Sequence, residues 1–495
     1  MAIGKSPTKI LIWMFALGAL LWPAIYNGQP FFFSDTTAYV RGADAAVQKL
    51  TGHATPWSEA PTLRSVSSVN NQTVLAGRSP YYGLLLYSGE ITGGFWLSVA
   101  LQAAAVLAAI ALTLRAAQIP IWPYAPAAGI ILAAVTGVPF FASYLMPDLF
   151  AGVAVLGCAV LLAVRRWLGK WQYVAWLVLV ALSLMVHDSH VLIAAGMLLI
   201  ATVLNLRYGW ANWRGLTVVL LALVIATASQ FTFDFAVKRL TGAAPVRPPV
   251  LTARLIDDGP GYEYLKATCP QNGFTVCQSL DRLPLASDDF LWGTDNTNGI
   301  FSDASPEIKR RLGDEQYRFL LAVLRYDPVG EIMIALSKAG EQLSQIGLGQ
   351  VFFEYNEASK RYFASKIPSE HQTTLQQSAA YRHMMPMDAM FIVQVAAIAA
   401  ALGLLILATA NPTLVRLHHD SVSMTICRWV LLGVVLNSLV CGGLSIPQHR
   451  YSARVVWLIP FVGLLVGIEL LRGRPWAARV AQARGASGDQ FISGT

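Results

Sequence analysis

The sequence predicts an all-α polytopic membrane protein of about ten transmembrane helices with a small extracytoplasmic domain. Three observations carry that prediction. Of 495 residues, 55% are hydrophobic and only 13% charged, about half the charge fraction of an ordinary soluble domain. The apolar residues fall in long uninterrupted runs, which a bilayer requires and a soluble core does not. The Lys and Arg residues sit largely in the short segments between those runs, where they act as topology signals. The net charge is +8 and the mean hydropathy +0.50. No Lys/Arg patch interleaved with aromatics occurs, so nucleic acid is excluded as a partner.

Taken in order, the runs predict spans at 10–26, 94–114, 121–140, 147–164, 171–187, 190–205, 214–231, 387–410, 426–444 and 453–471. Pro23, Pro139 and Pro460 lie near span ends, where a lost backbone hydrogen bond costs little. Met1 to Tyr26 has the charge pattern of a signal peptide, but no small-x-small cleavage site follows it, so it reads as a retained span. With the N-terminus cytoplasmic, the inside connections hold Lys5, Lys9, Arg115, Arg165, Arg166, Lys170, Arg207, Arg214, Arg416, Arg428, Arg472, Arg474, Arg479 and Arg484. The short outside connections hold almost none, with Arg450 and Arg454 as exceptions to explain. Both termini therefore come out cytoplasmic, and a bacterial inner membrane is expected.

The implied organisation is an N-terminal transmembrane module over 1–231, with its first outer loop at 27–93. An extracytoplasmic domain at 232–386, C-terminal transmembrane helices at 387–474 and a cytoplasmic tail at 475–495 follow. In the first loop, FFFSDTTAYVRGADAAVQKL reads as an interfacial helix capped by Ser34 or Asp35, with Ala38, Val40, Ala45, Ala46 and Leu50 on its apolar face. SPYYGLLLYSGEITGGFW reads as a second interfacial segment. The 232–386 segment is polar and Pro/Asp-rich, and 307–344 within it reads as largely helical. Cys269 and Cys277, eight positions apart there, suggest a disulfide closing a small loop; the alternative is two unpaired thiols.

Four hairpin ends place chemistry-bearing groups at one membrane level. These are Asp35 after the first span, Asp148 at the start of the fourth, His187, Asp188 and His190 between the fifth and sixth, and His449, Arg450, Tyr451 and Arg454 at the last. Each has a structural explanation by itself: a helix cap, a solvated turn, or snorkelling to lipid headgroups. Their joint occurrence points to one site. A surface carboxylate can act as general base toward a hydroxyl, and guanidinium groups pair with phosphate oxygens at any relevant pH. A lipid-linked phosphate substrate needs both, together with an apolar groove.

At these residues the chain resembles the GT-C superfamily of membrane glycosyltransferases, which use polyprenyl-phosphate-linked sugars. The matching elements are Asp35 in SDTTAY after the first span, the R-S-P-Y-Y segment Arg78 to Tyr82, Pro147-Asp148, Ser189-His190, and Arg450-Tyr451. They cover residues 1–205 well and the last span more weakly. The resemblance implies Asp35 as catalytic base, Asp148 as an assisting acid, and Arg450, Arg454 and Arg78 as ligands of the donor phosphate. His449 is expected to join the phosphate ligands, and His187, Asp188, His190, Tyr82 and Tyr451 to line the site or the acceptor. Where many relatives have paired acids in the first loop, Asp35 is followed by Thr36 and Thr37, and the next acid is Asp44. A divalent cation is thus left open and not required by the sequence. Expected partners are a lipid-linked sugar donor, membrane lipids, and a glycan, lipid or protein acceptor. An O-antigen polymerase or ligase, using a pyrophosphate-linked glycan, is the enzymatic alternative. A transporter is disfavoured because the span interiors are nearly free of charge. The orientation has a direct check: a reporter fused after Gly273 is expected to be extracytoplasmic, and a cytoplasmic reporter overturns the topology.

Overall fold

The computed structural model describes residues 6–52, 56–59, 74–164, 168–209, 212–293, 299–349, 366–410 and 421–472. The basic residues Lys5, Arg165, Arg166, Arg416, Arg474, Arg479 and Arg484, and the 475–495 tail, lie outside them. Among the described residues the protein is all-α, and its extended pairing is confined to isolated bridges.

In chain order the helices are α1 (Pro7–Leu20), α2 (Trp22–Asn27), α3 (Thr36–Thr51), α4 (Pro56–Glu59), α5 (Pro80–Gly93), α6 (Trp96–Ala116), α7 (Ile121–Val135), α8 (Val138–Ala142) and α9 (Leu149–Ala163). Then come α10 (Lys170–Met185), α11 (Asp188–Tyr208), α12 (Trp213–Thr241), α13 (Val250–Asp257), α14 (Pro260–Thr268), α15 (Ser287–Trp292), α16 (Pro306–Tyr326) and α17 (Pro328–Ser344). The chain closes with α18 (Ser369–Gln377), α19 (Met387–Ala410), α20 (Val422–Gly443), α21 (His449–Val456) and α22 (Leu458–Leu471). Among the described residues, six stretches are long and apolar enough to cross a membrane: α6, α11, α12, α19, α20 and the α21–α22 pair. Four shorter apolar helices, α1, α7, α9 and α10, occupy the other expected spans.

The differences from expectation are breaks with local causes. The first run divides at Leu21, ahead of Pro23, and the third divides at Thr136, whose backbone is extended. The α12 helix runs on to Thr241 rather than stopping near 231, so the span leads unbroken into the following segment. At the centre lies α9, every residue of which is buried. Its small residues let neighbours approach closely: a Cβ on Gly152 would lie 2.6 Å from the Trp457 indole nitrogen, and one on Gly157 2.4 Å from Val180. By contrast, much of the apolar surface of α19 is exposed, as suits a helix facing lipid.

The α3 helix differs from the sequence reading in two ways. Its buried face is Thr36, Thr37, Tyr39, Val40, Ala43 and Asp44, and Leu50 is exposed. The contact with α5 decides this face: at Gly83 an added Cβ would sit 2.6 Å from the Tyr39 carbonyl oxygen, so only glycine admits this approach. Asp35 occupies the N-cap position, yet its side chain makes no capping hydrogen bond.

Helices α13 to α16 enclose a second core built on Leu255, Ile256, Phe274, Phe290, Leu312 and Phe319. Cys269 and Cys277 are bonded there. The 307–344 stretch is helical on both sides of Asp327, whose carboxylate accepts from the Gly330 amide and starts α17. Arg254 of α13 pairs with Asp258 at 2.6 Å and with Glu331 of α17. In turn α17 packs on α20, where Gly442 and Gly443 face Lys338, Ala339 and Ala335. This contact sets a stability test. A Cβ on Gly442 would meet the Lys338 carbonyl at 2.5 Å, so Gly442→Val is expected to cost about 1–3 kcal/mol and lower the Tm in detergent. Gly340→Ala, where nothing lies within 4 Å, should be neutral or stabilising.

Candidate functional site

The site begins with a short extended segment. Phe31 pairs with the chain at Ser143 to Leu145 through two backbone hydrogen bonds, each 2.9 Å. The Thr36 hydroxyl donates to the Leu145 carbonyl at 3.0 Å and accepts from the Phe33 amide at 2.9 Å. These bonds tie the loop bearing Asp35 to the loop that leads into Asp148. A second bridge, Leu75 with Val246, ties the Arg78 loop to the beginning of the α13–α16 unit. Ser79 caps α5 and also donates to the Met185 carbonyl at 2.8 Å, which brings in the α10–α11 turn.

On this frame Asp35 forms an ion pair with Arg78 at 2.6 Å, the two side chains 21% and 25% exposed. The Arg78 guanidinium lies between the rings of Tyr39 and Trp292, 5.9 Å from each centre. Arg450 approaches from the other end of the chain, 4.7 Å from the ring centre of Phe33 and 4.9 Å from that of Tyr451. It also donates to the Tyr451 hydroxyl at 3.2 Å. Aromatic faces hold both cations without neutralising them. Burial pushes the Tyr39 phenol above its ordinary pKa, opposed by Arg78 and Arg450 and reinforced by Asp35 and Asp148. Tyr39 therefore stays a protonated, neutral group amid these charges.

One turn beyond Arg450, Arg454 is fully buried and committed to protein partners. It donates to Asp148 at 3.3 Å, Ser189 at 3.1 Å, Asn437 at 3.2 Å and the Cys441 sulfur at 3.1 Å. Its guanidinium also lies over Tyr451. Asp148 is equally enclosed, and this pair joins α9, α11, α20 and α21. His187 and His190 stack 5.1 Å apart beside it. His187 accepts from the Ser189 amide at 3.2 Å as the α11 cap, and His190 Nδ1 donates to the Ser183 carbonyl at 2.7 Å. Burial, then the cations Arg454, Arg450 and Arg78, depress the His187 pKa well below the usual imidazole range. That ring is therefore neutral at physiological pH.

Two expected site residues, Asp188 and His449, are engaged away from the cluster, whereas Tyr82 packs against it, its ring 5.2 Å from that of Tyr39. Asp188 is exposed and accepts from Gln230 at 3.1 Å. Tyr82 is buried and donates to Gln102 at 2.9 Å. His449 accepts from the Gly347 amide at 3.0 Å, fastening the segment that follows α17.

Several residues went unnoticed in the sequence. Asp288 and Trp292 of α15 reach the cluster: Trp292 covers Arg78, and Asp288 interacts electrostatically with Arg450 and Asp35. Burial raises the Asp288 pKa; Arg450 opposes, while Asp289, Asp257 and Asp35 add to the rise. The run SDDFLW sets acids beside aromatics as FFFSD does, and that was the available signal. Asn437 and Cys441, polar groups four apart inside a span, were a second signal.

Among solved structures the chain is similar to two of ArnT from Cupriavidus metallidurans. One is bound to undecaprenyl phosphate, with 14% identity over 93% of this chain and 78% of that one and a TM-score of 0.34. The other is in the apo state, with 14% identity over 92% and 76% and a TM-score of 0.32. No family model and no curated protein matches the chain.

The two ion pairs should respond differently to neutralisation. Asp148→Asn leaves a buried guanidinium without its counter-charge and should cost about 3–5 kcal/mol. Asp35→Asn, at the part-exposed pair, should cost about 0–1 kcal/mol. Thermal unfolding of the purified variants in detergent measures the contrast.

Proposed function

We propose that the protein is a GT-C-type glycosyltransferase that takes a sugar from a polyprenyl phosphate and transfers it to a cell-envelope acceptor on the outer face of the inner membrane. The observation that carries this reading is the convergence of Arg78 and Arg450 on the Phe33–Asp35 segment, each guanidinium lying on aromatic rings. Two fixed cations beside a carboxylate suit a substrate that combines a phosphate with a reacting hydroxyl. The GT-C-like elements that contain Asp35, Arg78 and Arg450 support the same reading.

In this reading Asp35 removes the proton from the acceptor hydroxyl as it attacks the anomeric carbon. The bond from that carbon to the phosphate oxygen breaks, and Arg450 and Arg78 stabilise the departing polyprenyl phosphate. Inversion at the anomeric carbon is expected if this one base suffices. Arg454 and Asp148 act as positioning residues, because their groups are enclosed and mutually paired. Asp35 can lose its contact with Arg78 as the donor phosphate takes over the guanidinium, which would free the carboxylate at the moment it is needed. The polyprenyl tail would lie between spans.

The test uses membranes containing wild-type, Asp35→Asn or Arg450→Ala protein, supplied with lipid-linked sugars and a cell-envelope extract. Asp35→Asn is expected to lower kcat by about 10²–10⁴-fold, whereas Arg450→Ala should weaken use of the donor. Undiminished transfer by Asp35→Asn would show that the base is misassigned.

A further inference from the structure

Away from the cluster just described, Glu90, Glu370 and His371 bring two carboxylates and an imidazole together, with one donor atom from each lying within 4.8 Å of the others. Glu90 belongs to α5, and the other two begin α18, some 280 residues later in the chain. The His371 Nε2 atom is 2.5 Å from Glu90 Oε1 and 3.6 Å from Glu370 Oε1. The Trp57 indole donates to Glu90 Oε1 at 3.1 Å, and its ring and that of Phe95 flank the imidazole at 5.6 Å and 6.0 Å. Glu90 Oε2 is buried with no hydrogen-bond partner among the described residues.

We propose that Glu90, Glu370 and His371 form a binding site for a divalent transition cation of the Zn²⁺ type. One imidazole nitrogen and two carboxylate oxygens are a donor set such cations accept, with the fourth position open to water. Two carboxylates and a neutral imidazole also balance the cation's charge in a part-buried setting. The orphaned Glu90 oxygen supplies a ligand atom that no protein group engages. Binding requires the proton between His371 and Glu90 to leave for solvent as the metal–nitrogen bond forms, so occupancy must fall as pH falls. Trp57 and Phe95 hold Glu90 and His371 in place, the kind of outer support that metal ligands need. The cation would join α5 to the segment leading into α19. Because α5 packs on α3, it would also brace the helix that follows Asp35. This proposal does not rest on glycosyl transfer.

The experiment is Zn²⁺ titration of the purified full-length protein in detergent by competition with a chromogenic chelator, paired with Tm with and without EDTA. Wild type should bind one Zn²⁺ per chain, more weakly at pH 6 than at pH 8, and lose Tm on chelation. His371→Ala, Glu90→Gln and Glu370→Gln should each weaken binding about tenfold or more. Glu370 is 57% exposed, so its substitution keeps the test valid if the other two variants fold poorly. Absence of saturable binding would overturn the site, leaving a His371–Glu90 ion pair alone. Binding of equal strength in wild type and Glu370→Gln would overturn it as well.

Discussion

Backbone groups released where helices break inside an apolar environment must find partners within the protein, and in this molecule side-chain amides provide them. Gln102 donates to the carbonyls of Ala142 and Tyr144, where α8 ends. Gln394 accepts from the Gly137 amide and donates to the Ile346 carbonyl. Gln342 donates to the Gln448 carbonyl and accepts from its amide, just before α21. Asn27 accepts from the Ala380 amide, and Asn437 donates to the Tyr451 carbonyl. Each amide sits on one element and completes the broken end of another. Leaving such groups unpaired costs about 1–3 kcal/mol each, so these bonds decide which breaks can exist.

The breaks so completed are the ones that bear the candidate site. Gln102 holds the turn to which Phe31 and Thr36 attach, and through them Asp35 is placed. Gln342 and Asn437 hold the start of α21, the helix of Arg450 and Arg454. A polar side chain inside a span therefore has a consequence at the membrane surface. The small residues of α9 and α20 complement this, since close helix contacts bring the donors within reach. Packing and polar satisfaction act on the same joints.

Much of this was legible in the sequence, for physical reasons. Spans are written in uninterrupted hydropathy, so all ten runs contain apolar helices, and the two cysteines eight positions apart are bonded. The breaks were harder to read. Leu21 and Thr136 look like ordinary span residues, and nothing local shows that the Gly137 amide freed at the second break is taken up by Gln394. The face of α3 was misjudged because periodicity shows which residues could be buried, while the glycine on α5 decides which are. Arg450 and Arg454 stand one helical turn apart in the sequence, which could not show that one meets aromatic rings and the other a carboxylate from residue 148. For Asp288 and Trp292 the sequence offers composition alone, acids beside aromatics in SDDFLW, and nothing local says that α15 meets Arg78 of the first loop.

The different settings of the two ion pairs bear on their roles. A buried pair has already given up its hydration, and its groups are held by fixed partners; admitting a ligand phosphate would require breaking Arg454 away from four of them. A part-exposed pair exchanges partners readily, since its net worth in protein is small. Asp35 and Arg78 are of that second kind, and so they can separate when a phosphate competes for the guanidinium. Rigidity at Arg454 and Asp148 fixes where α9, α11, α20 and α21 meet, while the neutral His187 adds no further positive charge beside the cations. In the proposed reading, reactive chemistry falls to the part-exposed pair, where partners exchange readily, and the enclosed pair serves by keeping it in register.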